Sequence, residues 1–318
     1  MARRRGRKKK APSWLYPTLW GVLFVLVALL VYPRGSDDLD VQIDQPQVVH
    51  TPVYEDVTVV PEKVISPEHV VKSKVIPPQQ DVSQDVAKPK PYKQVKRKGI
   101  ALIMDDVGYD LAALKRILAL PFPIAISIIP DAPYAKEAAE MAHQAHQVVM
   151  LHMPMEPSNP HYRARMDDSF IRTTMGEKEV KMMLQKGFAK VPYVVGMNNH
   201  MGSLLTAMPE PMGWVMQFCR DKGIFFVDSK TSAKSIAAKV AQSYGITWAS
   251  RRVFLDNSTE PKDMEKVWYL AQVCGSKQGG CIMIGHPHAE TLNFLEKHLA
   301  SSTSEMISVL DLLHQPEQ

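Results

Sequence analysis

The feature that most constrains the fold is a regular alternation of segments from residue 99 to the end of the chain. Apolar runs of strand length alternate there with amphipathic segments of helical length. The predicted strands are 100–104, 124–129, 148–151, 193–196, 224–227, part of 247–255, and 281–284. The predicted helices are 110–120, 133–143, 177–189, 211–222, 233–243 and 262–274. This alternation predicts an α/β domain with a parallel sheet and helices outside it.

The predicted strands are apolar along their whole length, which is typical of strands buried on both faces. A closed or nearly closed seven-stranded β/α barrel fits seven such units better than an open doubly wound sheet does. Hydrophobic periodicity does not decide whether the barrel closes. The barrel domain is assigned to residues 99–318.

Residues 14–32 predict a single transmembrane helix. No charged residue lies between Lys10 and Arg34, and about 20 apolar residues span a bilayer core. Aromatic residues stand near both ends of the run, and the basic tail 1–13 favours a cytoplasmic N-terminus. A cleaved signal peptide is the alternative, but no A-x-A-like site follows the run. We therefore expect an uncleaved anchor in the inner, cytoplasmic membrane, with the C-terminal domain in the periplasm or otherwise outside the cytoplasm.

Residues 33–98 are predicted to be an extended linker. Eight prolines lie between positions 46 and 91, and glycine is absent from 36 to 98. Such a composition favours polyproline-like chain over a packed core. A small β domain is the alternative, but prolines occur too often for central strands.

The charge distribution excludes a nucleic-acid partner for the folded part. The chain has 38 Lys and Arg against 33 Asp and Glu, but seven of the basic residues lie within positions 3–10. The remainder is nearly neutral and offers no large basic face to bind a phosphate backbone.

Ionisable side chains follow almost every predicted strand. Only the second strand ends without one, at Pro130; the residues at the other ends are Asp105 and Asp106, His152, Asn198 to His200, Asp228, Asp256, and His286 with His288. Ligands of parallel β/α folds bind at the carboxyl ends of the strands. Two adjacent carboxylates there repel each other unless a cation or a shared proton compensates them. Mixed Asp and His ligands favour a divalent metal, zinc or a similar first-row ion.

Five sequence blocks resemble the divergent polysaccharide deacetylases, a branch of the NodB-like carbohydrate esterase superfamily. The blocks are LIMDDVG at 102–108, LHMPMEP at 151–157, GMNNHMGS at 196–203, FVDSKT at 226–231 and IGHPH at 284–288. The resemblance implies a NodB-like barrel and a metal-dependent deacetylase. It also implies that Asp105 is the general base and His286 the general acid. Asp106 and His152 would then be metal ligands.

The chain departs from the NodB pattern at the third ligand. The usual His-x-x-x-His block reads His152-Met-Pro-Met-Glu156, so the second histidine is missing. Either Glu156 completes the metal site or His200 reaches it from the next strand end, and His200 is favoured because Gly202 allows close backbone approach. Glu156 alternatively forms a salt bridge with Arg163 or Arg165, or contacts a sugar hydroxyl.

Three further residues are candidates for orienting the reacting groups or binding sugar hydroxyls. They are Asn199, Asp228 and His288, and their alternative role is to cap loops, as Asp and Asn often do. For Asp256 the sequence leaves two roles open, capping the loop that follows it or lining the site. We also expect Cys219 to be buried in its helix, and we predict a disulfide between Cys274 and Cys281 because a glycine-containing turn separates them.

Two functions are therefore open. The first is a metal-dependent deacetylase acting on an envelope polysaccharide or a peptidoglycan fragment. The second is a catalytically weak or silent envelope factor that binds glycan or a protein with the same fold. Retention of Asp105 and His286 favours the first function, and the altered ligand block favours the second.

Overall fold

A computed structural model of the chain describes residues 97–299 and 306–317, together with Tyr92, Lys93 and Val95. The predicted transmembrane segment 14–32 and nearly all of the predicted linker lie outside these residues. Within the part that is described, no helix is long and apolar enough to cross a membrane.

The domain is built on one parallel sheet of eight strands, which confirms the predicted α/β class. The strands are β1 (Ile100–Val107), β2 (Ile124–Ile128), β3 (Val148–Met155), β4 (Gly196–Met201), β5 (Phe225–Asp228), β6 (Trp248–Ser250), β7 (Val253–Phe254) and β8 (Cys281–Gly285). Their order across the sheet is β6-β5-β4-β3-β2-β1-β8-β7. The predicted number of seven strands is wrong, because the described residues form eight.

The additional strand comes from the segment 247–255, for which one strand was predicted. The segment divides into β6 and β7, which lie at opposite edges of the sheet and are joined only by Arg251 and Arg252. Three peptide units span at most about 11 Å. The two edges must therefore approach each other, and the sheet is curled.

Helices pack on the outer face of the curled sheet. They are α1 (Leu111–Leu118), α2 (Ala135–Gln144), α3 (Pro160–Arg163), α4 (Glu177–Lys190), α5 (Pro209–Lys222), α6 (Ala237–Ser243), α7 (Pro261–Gly275) and α8 (Ala289–Leu299). Except for α3, which has no buried residue, their apolar faces and the outward side chains of the strands form the larger hydrophobic core. This confirms the predicted placement of the helices.

A smaller core fills the inside of the curl. Ile103, Val227 and Ile284 point inward from their strands and are buried. A 3-10 turn near the C-terminus, Val309–Leu312, packs Val309 and Leu312 against them. The inside of the sheet is therefore filled by side chains.

The ends of the described chain cover the β6 edge. The backbones of His314 and Trp248 exchange hydrogen bonds of 2.7 and 3.0 Å, and the two rings stack. The Tyr92 hydroxyl donates to the Ile246 carbonyl at 2.8 Å, and Tyr92 pairs with Pro316. Tyr92 thus contacts the folded domain although composition assigns it to the linker.

All three cysteines are free thiols, so the predicted disulfide between Cys274 and Cys281 is not formed. These two thiols are in hydrogen-bond contact, and Cys274 Sγ also lies 3.7 Å from the Gly280 carbonyl oxygen. Cys219 is buried in α5, as predicted.

Candidate active site

The two adjacent carboxylates of β1 reach the same site because the strand is irregular there. Successive strand residues normally point to opposite faces. The pairing of β1 with β2 shifts register between Met104 and Val107, and Asp106 has a left-handed backbone with φ of 56°. This bulge brings both side chains to His152, whose Nε2 lies 3.7 Å from Asp105 Oδ2 and 3.1 Å from Asp106 Oδ1.

Asp106, His152 and His200 form a compact group of ligand atoms. His200 Nδ1 lies 2.8 Å from Asp106 Oδ1 and 3.3 Å from His152 Nε2. Gly202 directly follows β4 and has φ of 87°, and a Cβ there would lie only 2.9 Å from Met155 Cβ. The glycine thus permits the close backbone approach that was expected beside His200.

This group has the composition and size of a divalent metal site. Three protein ligands with a further position open are typical of catalytic zinc. Tetrahedral zinc at about 2.0–2.2 Å from its ligands places them about 3.3–3.6 Å apart. The observed separations of 2.8, 3.1 and 3.3 Å need to widen only slightly. The residues therefore fit a metal, and all their ligand atoms lie within 4.8 Å of one another.

A buried asparagine connects the metal group to Asp105. Asn198 Oδ1 accepts from His152 Nδ1 at 2.7 Å and from the Ser127 hydroxyl at 2.6 Å. Its amide nitrogen donates to Asp105 Oδ1 at 2.8 Å. His152 is thereby oriented with Nε2 toward Asp106, as metal-binding histidines are oriented by the partner of their other ring nitrogen.

The two carboxyl groups differ in acidity. Burial opposes the ionisation of both. For Asp106, the charges of His200 and His152 and their hydrogen bonds outweigh burial and hold the pKa well below its usual range. For Asp105, burial outweighs the neighbouring histidines and raises the pKa. Asp106 is therefore suited to be an anionic ligand, and Asp105 to accept a proton.

His286 is held by Asp256. The carboxylate accepts the His286 backbone N–H at 2.6 Å and lies 2.9 Å from Nδ1 of the ring. The Thr291 hydroxyl also donates to it, at 2.8 Å. Burial disfavours a charged imidazole, but the Asp256 carboxylate outweighs burial and raises the pKa of His286. His286 therefore favours the protonated form that a general acid needs.

A second group of ligand atoms consists of Asp256, His286 and His288. Both Asp256 oxygens already accept hydrogen bonds from His286 or Thr291. The group around Asp106 is therefore the better metal site. His288 is half-buried, and its ring centroid lies 6.0 Å from that of His286.

Glu156 lies outside the metal group. Its Oε2 accepts from the backbone N–H and the hydroxyl of Thr173 at 2.6 and 2.7 Å, and its Oε1 lies 3.0 Å from Arg163 Nε. This is the Arg163 salt bridge expected as one alternative. The Glu156 carboxylate thus connects Arg163 and Thr173 within the loop after β3.

The side chains of Asn199 and Asp228 also form hydrogen bonds with other residues of the protein. Asn199 accepts from the Ser229 backbone and donates to the Met201 carbonyl. Asp228 accepts from the Lys230 backbone and from the Ser235 hydroxyl. These contacts are the ones that the loop-capping alternative predicts.

Arg251 is a half-buried cation in the short connection between β6 and β7. Its guanidinium donates to the carbonyls of Ser229 and Lys230 at 2.5 and 2.7 Å. Burial lowers its pKa to about 10 against the opposing charges of Asp228 and Asp105, so it remains charged at neutral pH. Arg251 thus supplies a positive charge near Asp105 while tying the β5 loop to the sheet edge.

The family is shown by sequence. A family model described as divergent polysaccharide deacetylase matches residues 102–313. The chain belongs to the divergent polysaccharide deacetylase family. This confirms the resemblance found in the five sequence blocks, since all five lie within the matched residues.

Two bacterial proteins and one solved structure are similar to this family member. An uncharacterised protein of Haemophilus influenzae (strain Rd) is 36% identical over 200 residues, covering 63% of this chain and 70% of that protein. The uncharacterised protein YibQ of Escherichia coli K12 is 31% identical over 220 residues, covering 69% and 68%. The structure of ATU2773 from Agrobacterium tumefaciens C58, also uncharacterised, covers 66% of this chain and 85% of its own, with 16% identity and a TM-score of 0.59. That structure shares the fold.

The structure adds residues that the sequence did not single out. Asn198 was noted only as part of a polar strand end, and Ser127 not at all. Arg251 also gave no separate signal. The sequence left open whether Asp256 caps a loop or lines the site. Its hydrogen bonds to His286 place it at the site.

Proposed function

We propose that this protein is a metal-dependent hydrolase that removes acetyl groups from N-acetylated polysaccharide of the cell envelope. The observation that carries the proposal is the grouping of Asp106, His152 and His200 with Asp105 and His286 near them. Membership of the family supports the same reaction class.

Asp106, His152 and His200 would hold the metal, which we propose to be zinc. A bound divalent ion supplies Lewis-acid chemistry, polarising a carbonyl and lowering the pKa of water. The protein's own contribution is to fix the three ligands. Asn198 orients His152, and the β1 bulge aims Asp106.

Asp105 is the proposed general base. Asn198 occupies its Oδ1, while Oδ2 faces the metal group at 3.7 Å from His152 Nε2. A raised pKa suits a carboxylate that takes a proton from water near neutral pH. Asp105 would accept that proton as the water oxygen bonds to the acetamide carbon.

His286 is the proposed general acid. Its Nδ1 is held by Asp256, and the opposite ring nitrogen would donate a proton to the departing amine as the carbon–nitrogen bond breaks. The products are acetate and a free amino group on the sugar. His288, beside His286, is the remaining candidate for contact with the substrate.

We also propose that residues 14–32 anchor the protein in the inner membrane, with the catalytic domain in the periplasm. The uncharged apolar run and the basic residues before it support this topology. The full chain should stay in the membrane fraction after a high-salt wash, and its C-terminal domain should be digested by protease added from the periplasmic side. Recovery of a chain beginning near residue 35 would contradict the anchor.

The proposed activity is tested by acetate release from N-acetylglucosamine oligomers and from peptidoglycan. Full-length protein should release acetate, lose this activity with chelator and regain it when zinc is restored. The His286→Gln variant should bind zinc normally but release acetate at least about 100-fold more slowly, which is the usual range for losing a general acid. Glycan binding without acetate release would instead identify a binding protein.

A further inference from the structure

Asp256, His286 and His288 form a second group of metal-ligand atoms, in addition to the group around Asp106. One ligand atom from each of the three residues lies within 4.8 Å of the others. Asp256 follows β7, and both histidines follow β8, which pairs with β7 in the sheet. The backbone N–H of His288 donates to the His286 carbonyl at 2.8 Å, and this tight turn places the two ring centroids 6.0 Å apart. Strand pairing and the turn therefore bring one carboxylate and two imidazoles together.

The Asp256 carboxylate is held in place by contacts that a metal would not disturb. Its Oδ2 accepts from the His286 backbone N–H at 2.6 Å and from the Thr291 hydroxyl at 2.8 Å. Its Oδ1 lies 2.9 Å from His286 Nδ1. Two ligand atoms of a tetrahedral zinc ion lie about 3.3–3.6 Å apart, so this pair needs to widen by about 0.5 Å. Asp256 and His286 are buried, whereas His288 is half-buried, so the group can be reached from the side of His288.

We propose that Asp256, His286 and His288 bind a second zinc ion, and that this ion inhibits the proposed reaction. Zinc replaces the proton on His286 Nδ1, and that proton is released to water. The ring is then neutral, and giving up its remaining N–H proton would leave an imidazolate. His286 can therefore no longer protonate the departing amine. The second zinc site itself does not depend on the proposed function, whereas the inhibition rests on it.

The second zinc should bind more weakly than the first. In the group around Asp106, Asn198 orients His152 and is not itself a ligand. In the second group, Asp256 is both the partner that orients His286 and a ligand, so zinc binding consumes the orienting contact. Loss of such a partner typically lowers metal affinity 10- to 100-fold. His286 also lies close enough to Asp106 for their charges to interact, so a zinc ion bound at Asp106 repels a second one.

The site is tested by titrating the full-length protein with zinc in competition with chromophoric chelators. The original chain should bind two zinc ions whose affinities differ at least about 10-fold. His288→Gln should lose the weaker zinc and keep the tighter one, which also shows that the variant is folded. Asp106→Asn should keep only the weaker zinc. The matched control is His143→Gln, an exposed histidine of α2 outside both groups, which should keep both.

A single zinc in the original chain overturns the inference, and so does a second zinc that His288→Gln retains. Acetate release provides the separate test of inhibition. It should rise as the tighter site fills and fall at least about 10-fold as the weaker site fills, because losing a general acid costs at least that much. Magnesium at the same concentrations should not inhibit, since imidazole ligands do not suit it.

The two kinds of failure are distinguishable. If the second zinc binds through His288 but acetate release is unchanged by it, the inhibitory role is overturned. If the second zinc binds through His288 and no acetate is released at any zinc concentration, the proposed function fails and the second metal site stands.

Discussion

Asn198 holds a proposed metal ligand and the proposed base at once, since it accepts from His152 and donates to Asp105. Asn198→Ala removes both contacts and should lower zinc affinity about 10- to 100-fold, as is typical when the partner that orients a metal-binding histidine is lost. Competition titration with a chromophoric chelator measures this affinity.

Asn198→Asp is the informative companion variant. It keeps an acceptor for His152 but places a second carboxylate opposite Asp105. Zinc affinity should fall less than in Asn198→Ala, while acetate release should fall strongly because Asp105 loses its hydrogen-bond donor. Equal zinc affinity in Asn198→Ala and the original chain would show that Asn198 does not orient the ligand.

Asp256 should set the pH at which activity is lost on the alkaline side. It raises the pKa of His286, and a general acid works only while protonated, so activity falls as the pH rises through that pKa. Asp256→Asn removes the negative charge and should move the alkaline limb of kcat/KM to lower pH. Acetate release measured from pH 5 to pH 10 tests this, with Asp263→Asn on α7 as control. A limb that stays in place while the rate falls would mean that Asp256 only supports the fold.

The rule that ligands gather at strand ends was enough to find Asp105, Asp106, His152, His200 and His286. It could not assign a role to Asn198 or to Asp256, because their roles come from contacts with residues distant in the chain. Asn198 meets Asp105 across 93 residues, and Asp256 meets His286 across 30. No local pattern marks such a pair.

At the scale of elements, the predicted strands were too short or displaced along the chain at the ends that carry the site residues. The fourth strand was expected at 193–196 but runs over Gly196–Met201. Its polar residues weaken the sequence signal for a strand, and they are there because their side chains meet at the site. The sequence also gave no sign of the β1 bulge, although this bulge allows Asp105 and Asp106 to face the same histidine, His152.

The C-terminal 3-10 turn should contribute strongly to stability because it fills the inside of the curled sheet. Leu312 is 2% exposed, whereas Leu310 in the same turn is 47% exposed. Leu312→Ala should lower the free energy of unfolding by about 2–4 kcal/mol, and Leu310→Ala by less than about 0.5 kcal/mol. Urea denaturation of both variants measures the difference. Similar values for the two variants would show that the turn is not part of the core.

At the scale of the whole molecule, the alternation of segments predicted the parallel α/β architecture and favoured a closed or nearly closed barrel, but it did not predict how the edges of the sheet are connected. The decisive connection is the two-residue link of Arg251 and Arg252, which joins opposite edges of the sheet. Apolar periodicity cannot distinguish that link from one irregular strand. The second strand was predicted to end without an ionisable side chain, and this strand, β2, lies between β1 and β3 in the sheet. Ser127 on this strand donates a hydrogen bond from its hydroxyl to Asn198 Oδ1.

The central claim is that Asp106 is a metal ligand whereas Asp105 is a base. The most direct measurement is the zinc content of the full-length chain and of its Asp106→Asn and Asp105→Asn variants, each with a thermal melt before and after chelator. Asp106→Asn should lose most of its zinc and the stability that bound metal provides. Asp105→Asn should retain zinc and the chelator-sensitive melt while releasing no acetate. Full zinc in both variants, with an original chain whose melt is unchanged by chelator, would contradict this account.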